Sequence, residues 1–384
     1  MEQKIIQIAM QIEELKTQPQ DIQSKVQSPK VEVAHMKYLI TKSTKGPNQY
    51  TPKLKDKQQL IRSKFYNDCV FNTCKHSFIG GLVPNIPSTA KWTQNGITIA
   101  GGNEQGKALN QLSSPRGLCI GADQTIYIAD YDNHRIVEWK FYAESGRVIV
   151  GADGEENRIS QLSYPTGVIV DPKTNKLIIC DSGNRRIVQY SLQDGSTFEK
   201  TIIENIRCYG LAIDDQNFLY VSDKQKHEVR RYNLGDKEGK VVAGGNGKGD
   251  QLDQLNLPTY VFIDQEYSVY VSDNGNHRVM KWPIGAKEGK LVAGGQGKGN
   301  SLTQLSEPRG VFVDMSGTIY VAEWGNNRVT RWHKDTTQGN IIAGGHSYGA
   351  QQNQLIGPED LSFDQYGNLY VVDYGNHRVQ RFSI

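Results

Sequence analysis

A closed six-bladed β-propeller is the fold the sequence predicts for residues 96–384, and three observations predict it. A unit recurs about every 50 residues, each copy divides into four short strand-like runs, and the two ends of the array are complementary fragments of one unit.

The recurrence is clearest in runs that close on an acidic residue: Asp130, Asp181, Asp223, Asp273, Glu323 and Asp373, spaced 51, 42, 50, 50 and 50 residues apart. Five residues after each stand Arg135, Arg186, Glu228, Arg278, Arg328 and Arg378. Four further on comes an aromatic: Trp139, Tyr190, Tyr232, Trp282, Trp332 and Phe382. An inner strand follows Pro-x-Gly, as at Pro115-Arg116-Gly117, and the second ends at the acid. A tight turn such as Asn274-Gly275-Asn276 leads into the third, which runs from Arg to the aromatic. The fourth reads like Leu291–Gly294. Four such strands per repeat are the blade of a propeller.

The ends set the count. The array opens on a lone fourth strand, Ile97–Gly101, and stops at Ile384 just after a third. One, twenty and three strands make six blades, the last completed by the first strand, which removes open sheet edges.

Composition agrees. Only 37% of the 384 residues are hydrophobic, yet 39 are glycine, which suits short strands and turns. No run approaches the ~18 apolar residues of a membrane span, and Ile5–Met10 is too interrupted for a signal-peptide core. No membrane partner and a cytoplasmic location are therefore expected. Five cysteines suggest no disulfide framework; Cys119 and Cys180, inside apolar runs, read as small buried hydrophobes. Cys69, Cys74 and His76 offer three ligands where structural zinc needs four, so no metal or cofactor is expected.

Charge divides the chain. Residues 1–96 carry 14 Lys and Arg against 7 Asp and Glu, whereas residues 97–384 carry 30 against 34. Residues 1–33 read as an amphipathic, coiled-coil-like helical segment with Ile5, Ile8, Ile12, Leu15, Ile22 and Val26 in one heptad register. Pro19 should kink or end the first helix. Packing on a neighbour and weak self-association through residues 5–26 both fit. Residues 34–95 read as a solvated basic linker.

Asn276-His277-Arg278-Val279 and Asn376-His377-Arg378-Val379, each preceded by Tyr-Val-x-Asp, resemble the NHL-repeat β-propeller family, as in the propeller domain of TRIM-NHL-type proteins. The likeness covers about three quarters of the chain. It implies a protein- or RNA-binding module, often placed C-terminal to RING, B-box and coiled-coil segments in ubiquitin ligases. Other members are extracellular sensors, and one branch is a metal-dependent amidating lyase. This chain shows no RING or B-box array, so a ubiquitin-pathway role would be partner selection.

Catalytic readings are weak. His134, His227, His277 and His377 fall one per blade in the same turn, and equivalent turns of packed blades stand about 10 Å apart or more, too far to share an ion. The repeated acid–Arg pair reads as a charge-assisted clamp between second and third strands. Gly345-His346-Ser347-Tyr348-Gly349 has the hydrolase elbow spacing but lies in a glycine-rich loop rather than between strand and helix.

A binding face is the better candidate. Alternating strand direction puts the long loops and the second-to-third turns on one side, with Lys107, Lys248 and Lys298 in the loops. The residue before the inner-strand glycine should line the channel mouth: Arg116, Thr166, Tyr209, Thr259, Arg309 and Glu359. The expected function is non-catalytic scaffolding, with a protein partner bound on this face. RNA binding there is the alternative, and a small-molecule hydrolase or lyase comes third. The shortened spacing before Asp223 predicts a notch between second and third blades that exposes the flank of Tyr209.

Overall fold

The computed structural model describes residues 83–121, 123–151, 161–192 and 198–384. The helical segment of residues 1–33, its self-association and the Cys69, Cys74 and His76 group lie outside the described residues.

The described strands form six four-stranded antiparallel sheets arranged as the blades of a propeller. The first blade comprises Pro115–Ile120, Ile126–Asp130, Arg135–Trp139 and Arg147–Val150, from the axis outward. The sixth contains Pro358–Phe363, Leu369–Asp373 and Arg378–Phe382, and its outer strand is Ile97–Gly101, paired with Ile97 opposite Arg381 and Gly101 opposite Arg378. The ring closes as the sequence predicts.

The core lies between blades. The hydrophobic clusters join neighbouring blades, as where Tyr127 and Ile136 of the first blade meet Leu177 and Tyr190 of the second. Second strands are therefore almost wholly buried, and along their whole length in Ile126–Asp130 and Leu369–Asp373, which explains their near-continuous apolar sequence. Inner strands approach so closely that a Cβ on Gly117 would stand 2.5 Å from the Thr166 carbonyl oxygen, and one on Gly210 would stand 2.6 Å from Tyr260 Cα. The Pro-x-Gly motif follows from that crowding.

The acid–Arg pairs do more than clamp strands. Asp130 accepts from Arg135 Nε at 2.7 Å and from the Ser113 N–H at 2.6 Å, while the remaining Arg135 nitrogens donate to the carbonyls of Lys107, Ala108 and Gln111. The clamp thus fastens the preceding long loop to its blade. Asp273–Arg278, Glu323–Arg328 and Asp373–Arg378 repeat it at 2.7, 2.8 and 2.8 Å. In the third blade, Glu228 takes the arginine position and pairs with Arg230 at 2.6 Å, and Asp223 accepts the N–H groups of Gln225 and Lys226. Arg230 therefore serves Glu228 and not Asp223.

The turn histidines join blades. Nδ1 of His134, His227, His277 and His377 accepts the backbone N–H of Tyr164, Leu257, Glu307 and Ser114 respectively, each in the next blade, at 3.0–3.2 Å. Asn327 Oδ1 does the same for Gly357 at 2.9 Å. These five donors' acceptors all have φ between 52° and 58°, a left-handed conformation that His and Asn adopt more readily than most residues. Burial lowers the pKa of His227, His277 and His377, which keeps the accepting nitrogen unprotonated.

Between the second and third blades this position is Arg185, and among the described residues no side-chain amide or imidazole bridges that junction. A disulfide stands there instead, joining Cys180 to Cys208 with a Cα–Cα distance of 5.8 Å. This corrects the reading of Cys180 as a free buried thiol. The signal was obscured because Cys208 replaces the inner-strand proline in the one irregular repeat. Cys119 remains a thiol, which burial pushes up to about 11.

The linker expected over 34–95 is also corrected at its end. Ile86, Ala90 and Trp92 are buried against Tyr320 and Phe363, Trp92 Nε1 donates to the Gly367 carbonyl at 2.9 Å, and Arg331 donates to that of Ala90 at 3.0 Å. Apolar residues spaced among polar ones there find a surface to cover.

Candidate functional site

The inner strands carry Arg116, Tyr209, Arg309 and Glu359 to one point on the axis. Both guanidiniums donate to the Tyr209 hydroxyl oxygen, Arg116 at 2.5 Å and Arg309 at 2.7 Å, and that hydroxyl in turn donates to Glu359 Oε1. Each guanidinium stands 3.8 Å from the same carboxylate oxygen. Burial opposes the arginine charges, but the Tyr209 oxygen and Glu359 more than restore them, so both remain cations. Burial pushes the Tyr209 phenol above its ordinary range, so it stays a neutral donor.

Beneath this network the channel is filled. Tyr260 replaces the inner-strand glycine of the fourth blade, packs edge-on to Tyr209 at 5.6 Å, and its hydroxyl lies 3.4 Å from the Thr166 carbonyl of the second blade. Asp360 replaces the glycine of the sixth and accepts the Leu118 and Leu361 N–H groups; burial holds its carboxyl well above the usual range. The mouth is a cup with a floor.

Thr166 and Thr259 lie in the wall but do not face the opening. They are buried, with their hydroxyls on Cys180 Sγ and the Pro308 carbonyl. Lys107, Lys248 and Lys298 are exposed in the loops and make no described side-chain contact with the cluster; Lys298 pairs with Glu307 at 2.7 Å. The predicted notch does not expose Tyr209, which is 4% exposed. Ile206 fills the place that buried leucines such as Leu255 and Leu305 hold in other loops, and the arginines cover the ring from above.

The rim belongs to residues the sequence reading passed over: Tyr131, Lys224, Trp324 and Tyr374, each directly after the second-strand acid. Arg116 stacks on Tyr131 at 3.8 Å and stands 5.6 Å from Tyr374, Arg309 stands 5.8 Å from Trp324, and Lys224 Nζ lies 4.7 Å over Tyr209. Their signal was available: the turn after each acid faces the same side as the long loops. A separate cleft of about 1200 Å³ between the fourth and fifth blades is lined by Asp264, Lys281, Asp314 and His333, with Lys281 paired to Asp264 at 3.1 Å.

Residues 112–139 and 355–382, one unit near each end of the ring, match the NHL repeat family. The chain thus carries NHL repeats on a six-bladed propeller. Part of it is 32% identical over 116 residues to NHL repeat-containing protein 2 of Homo sapiens, covering 24% of this chain and 15% of that protein. Another stretch is 28% identical over 142 residues to the brain tumor protein of Drosophila melanogaster, covering 36% of this chain and 13% of that one. The match thus spans under one sixth of either relative. Among solved structures, a Bacteroides thetaiotaomicron protein of unknown function superposes with a TM-score of 0.61 at 15% identity, covering 76% of each chain. A gluconolactonase from Xanthomonas campestris superposes at 0.53 and 15% identity, covering 81% of this chain and 99% of the enzyme. Propellers of this shape thus include enzymes, and at such identity the likeness is one of fold.

Proposed function

We propose that this NHL propeller is a non-catalytic interaction module whose loop face binds a protein partner. One observation carries the reading: three cations, Arg116, Lys224 and Arg309, are gathered around one carboxylate, Glu359, inside a half-buried rim of Tyr131, Trp324 and Tyr374. Aromatic rings beside partly desolvated arginines are the composition of energetic centres in protein interfaces. The turn histidines, candidate metal ligands in any enzyme reading, serve as acceptors between blades. The NHL resemblance supports a binding role, and within a ubiquitin-ligase assembly such a module would choose the partner.

Crosslinking in cells, followed by identification of bound protein and bound RNA, tests this. Trp324→Ala should remove most crosslinked protein, whereas Met315→Ser, an exposed change in the turn between first and second strands of the fifth blade, should not. Recovery of RNA in place of protein, with the same dependence on Trp324, would overturn the proposal in favour of nucleic-acid binding through base stacking.

A further inference from the structure

Resting on the reading of this face as a binding surface, we infer that the cup at the channel mouth is a receptor for a single carboxylate presented by the partner, held between Lys224, Arg116 and Arg309. The argument begins with charge. Of the three cations, two share Glu359 and the Tyr209 oxygen, and among the described residues the Lys224 ammonium has no hydrogen bond or ion pair, only the Tyr209 ring at 4.7 Å. The Nε atoms of Arg116 and Arg309 are buried and unsatisfied as well. A folded chain ordinarily pairs its partly buried charges, so this cluster of three cations and one carboxylate lacks an anion opposite Lys224.

Lys224 makes the shortage legible. Burial lowers its pKa, then the repulsion of Arg309, Arg116 and Arg207, against the attraction of Glu359, to about 8. The native state therefore disfavours this ammonium relative to the unfolded chain. Stability given up at a concave, polar site is the pattern of a binding site. An incoming carboxylate supplies the missing partner and favours the protonated amine.

The guest is a point charge on a protein rather than a nucleic-acid backbone. A backbone presents a series of phosphates and needs a track of cations to follow it. Here the cations converge on the axis, Lys298 is committed to Glu307, and Lys107 and Lys248 stand apart in separate loops. The guanidinium forks suit a carboxylate, and Trp324 and Tyr374 offer apolar surface to the residues flanking it.

The test uses the full chain and fluorescently labelled peptides. One probe is hexaglutamate capped at both ends; a second is a Gly-Ser hexapeptide with a free C-terminal carboxylate; a third is an oligouridylate of similar charge. Binding of the first assigns the site to acidic side chains, and binding of the second assigns it to a chain terminus. Either way, Lys224→Met should weaken binding about tenfold or more. Because the free amine titrates near pH 8, wild-type affinity should fall between pH 7 and pH 9, and the variant should lack that dependence. The wild-type pH profile keeps the test open if Lys224→Met folds poorly. Equal affinity of wild type and Lys224→Met at pH 7, a flat pH profile, or binding of the oligouridylate alone would each overturn the inference. If a protein crosslink still depends on Trp324 while acidic probes do not bind, the binding face stands and only the carboxylate receptor falls.

Discussion

The disulfide at the junction of the second and third blades gives the most quantitative expectation. Every other junction has an imidazole or carboxamide that accepts an N–H from the next blade; here the bridge is covalent. Cys180 and Cys208 are separated by 28 residues. Closing a loop of that length removes about 12 cal/mol/K from the unfolded chain, or roughly 3.6 kcal/mol at 298 K in the chain-entropy account. Both cysteines are buried, so Cys180→Ala/Cys208→Ala also leaves a small cavity, and the expected loss is about 3–5 kcal/mol. Guanidinium unfolding without reductant should show the double variant far less stable than wild type, with Cys119→Ala as a control that stays within about 1 kcal/mol. Adding reductant should bring wild type down toward the variant. Peptide mapping of non-reduced protein should recover the two cysteines linked. Equal midpoints without reductant, or separate unlinked peptides, would refute the reasoning.

Two further expectations follow from the blade contacts. His227, His277 and His377 have pKa values lowered in the fold by burial, so the native state binds fewer protons than the unfolded chain below about pH 6.5. Their contribution is complete above that pH and is lost as pH falls through the depressed native values. Since Asn327 already performs the same task without titrating, the triple change His227→Asn/His277→Asn/His377→Asn should flatten the loss of stability between pH 7 and pH 5. Matching slopes for variant and wild type in denaturant titrations would contradict this. Trp92→Ala, which removes a 5% exposed indole and its bond to Gly367, should cost about 3–5 kcal/mol and open residues 83–95 to limited proteolysis; an unchanged melting temperature would show that the segment does not brace the ring.

The blade count, the strand order within each blade and the closing strand are written in the sequence because each depends on residues near one another in the repeat. Pro-x-Gly, the acid–Arg spacing and the following aromatic each encode a contact within a blade or with its immediate neighbour, and repetition makes the pattern visible. The convergence of Arg116, Tyr209, Arg309 and Glu359 was legible as a ring position. That Arg116 and Arg309 would meet on one hydroxyl, 93 and 100 residues away, was not. Nor was it legible that, among the described residues, Lys224 finds no ion pair, since that depends on the side chains that reach across the axis. The Cys180–Cys208 bridge and the docking of Trp92 likewise arise where the repeat is broken or absent, so no periodicity announces them. Local periodicity determined the scaffold; only closure of the ring, which brings distant and irregular positions within bonding distance, decided what its centre holds.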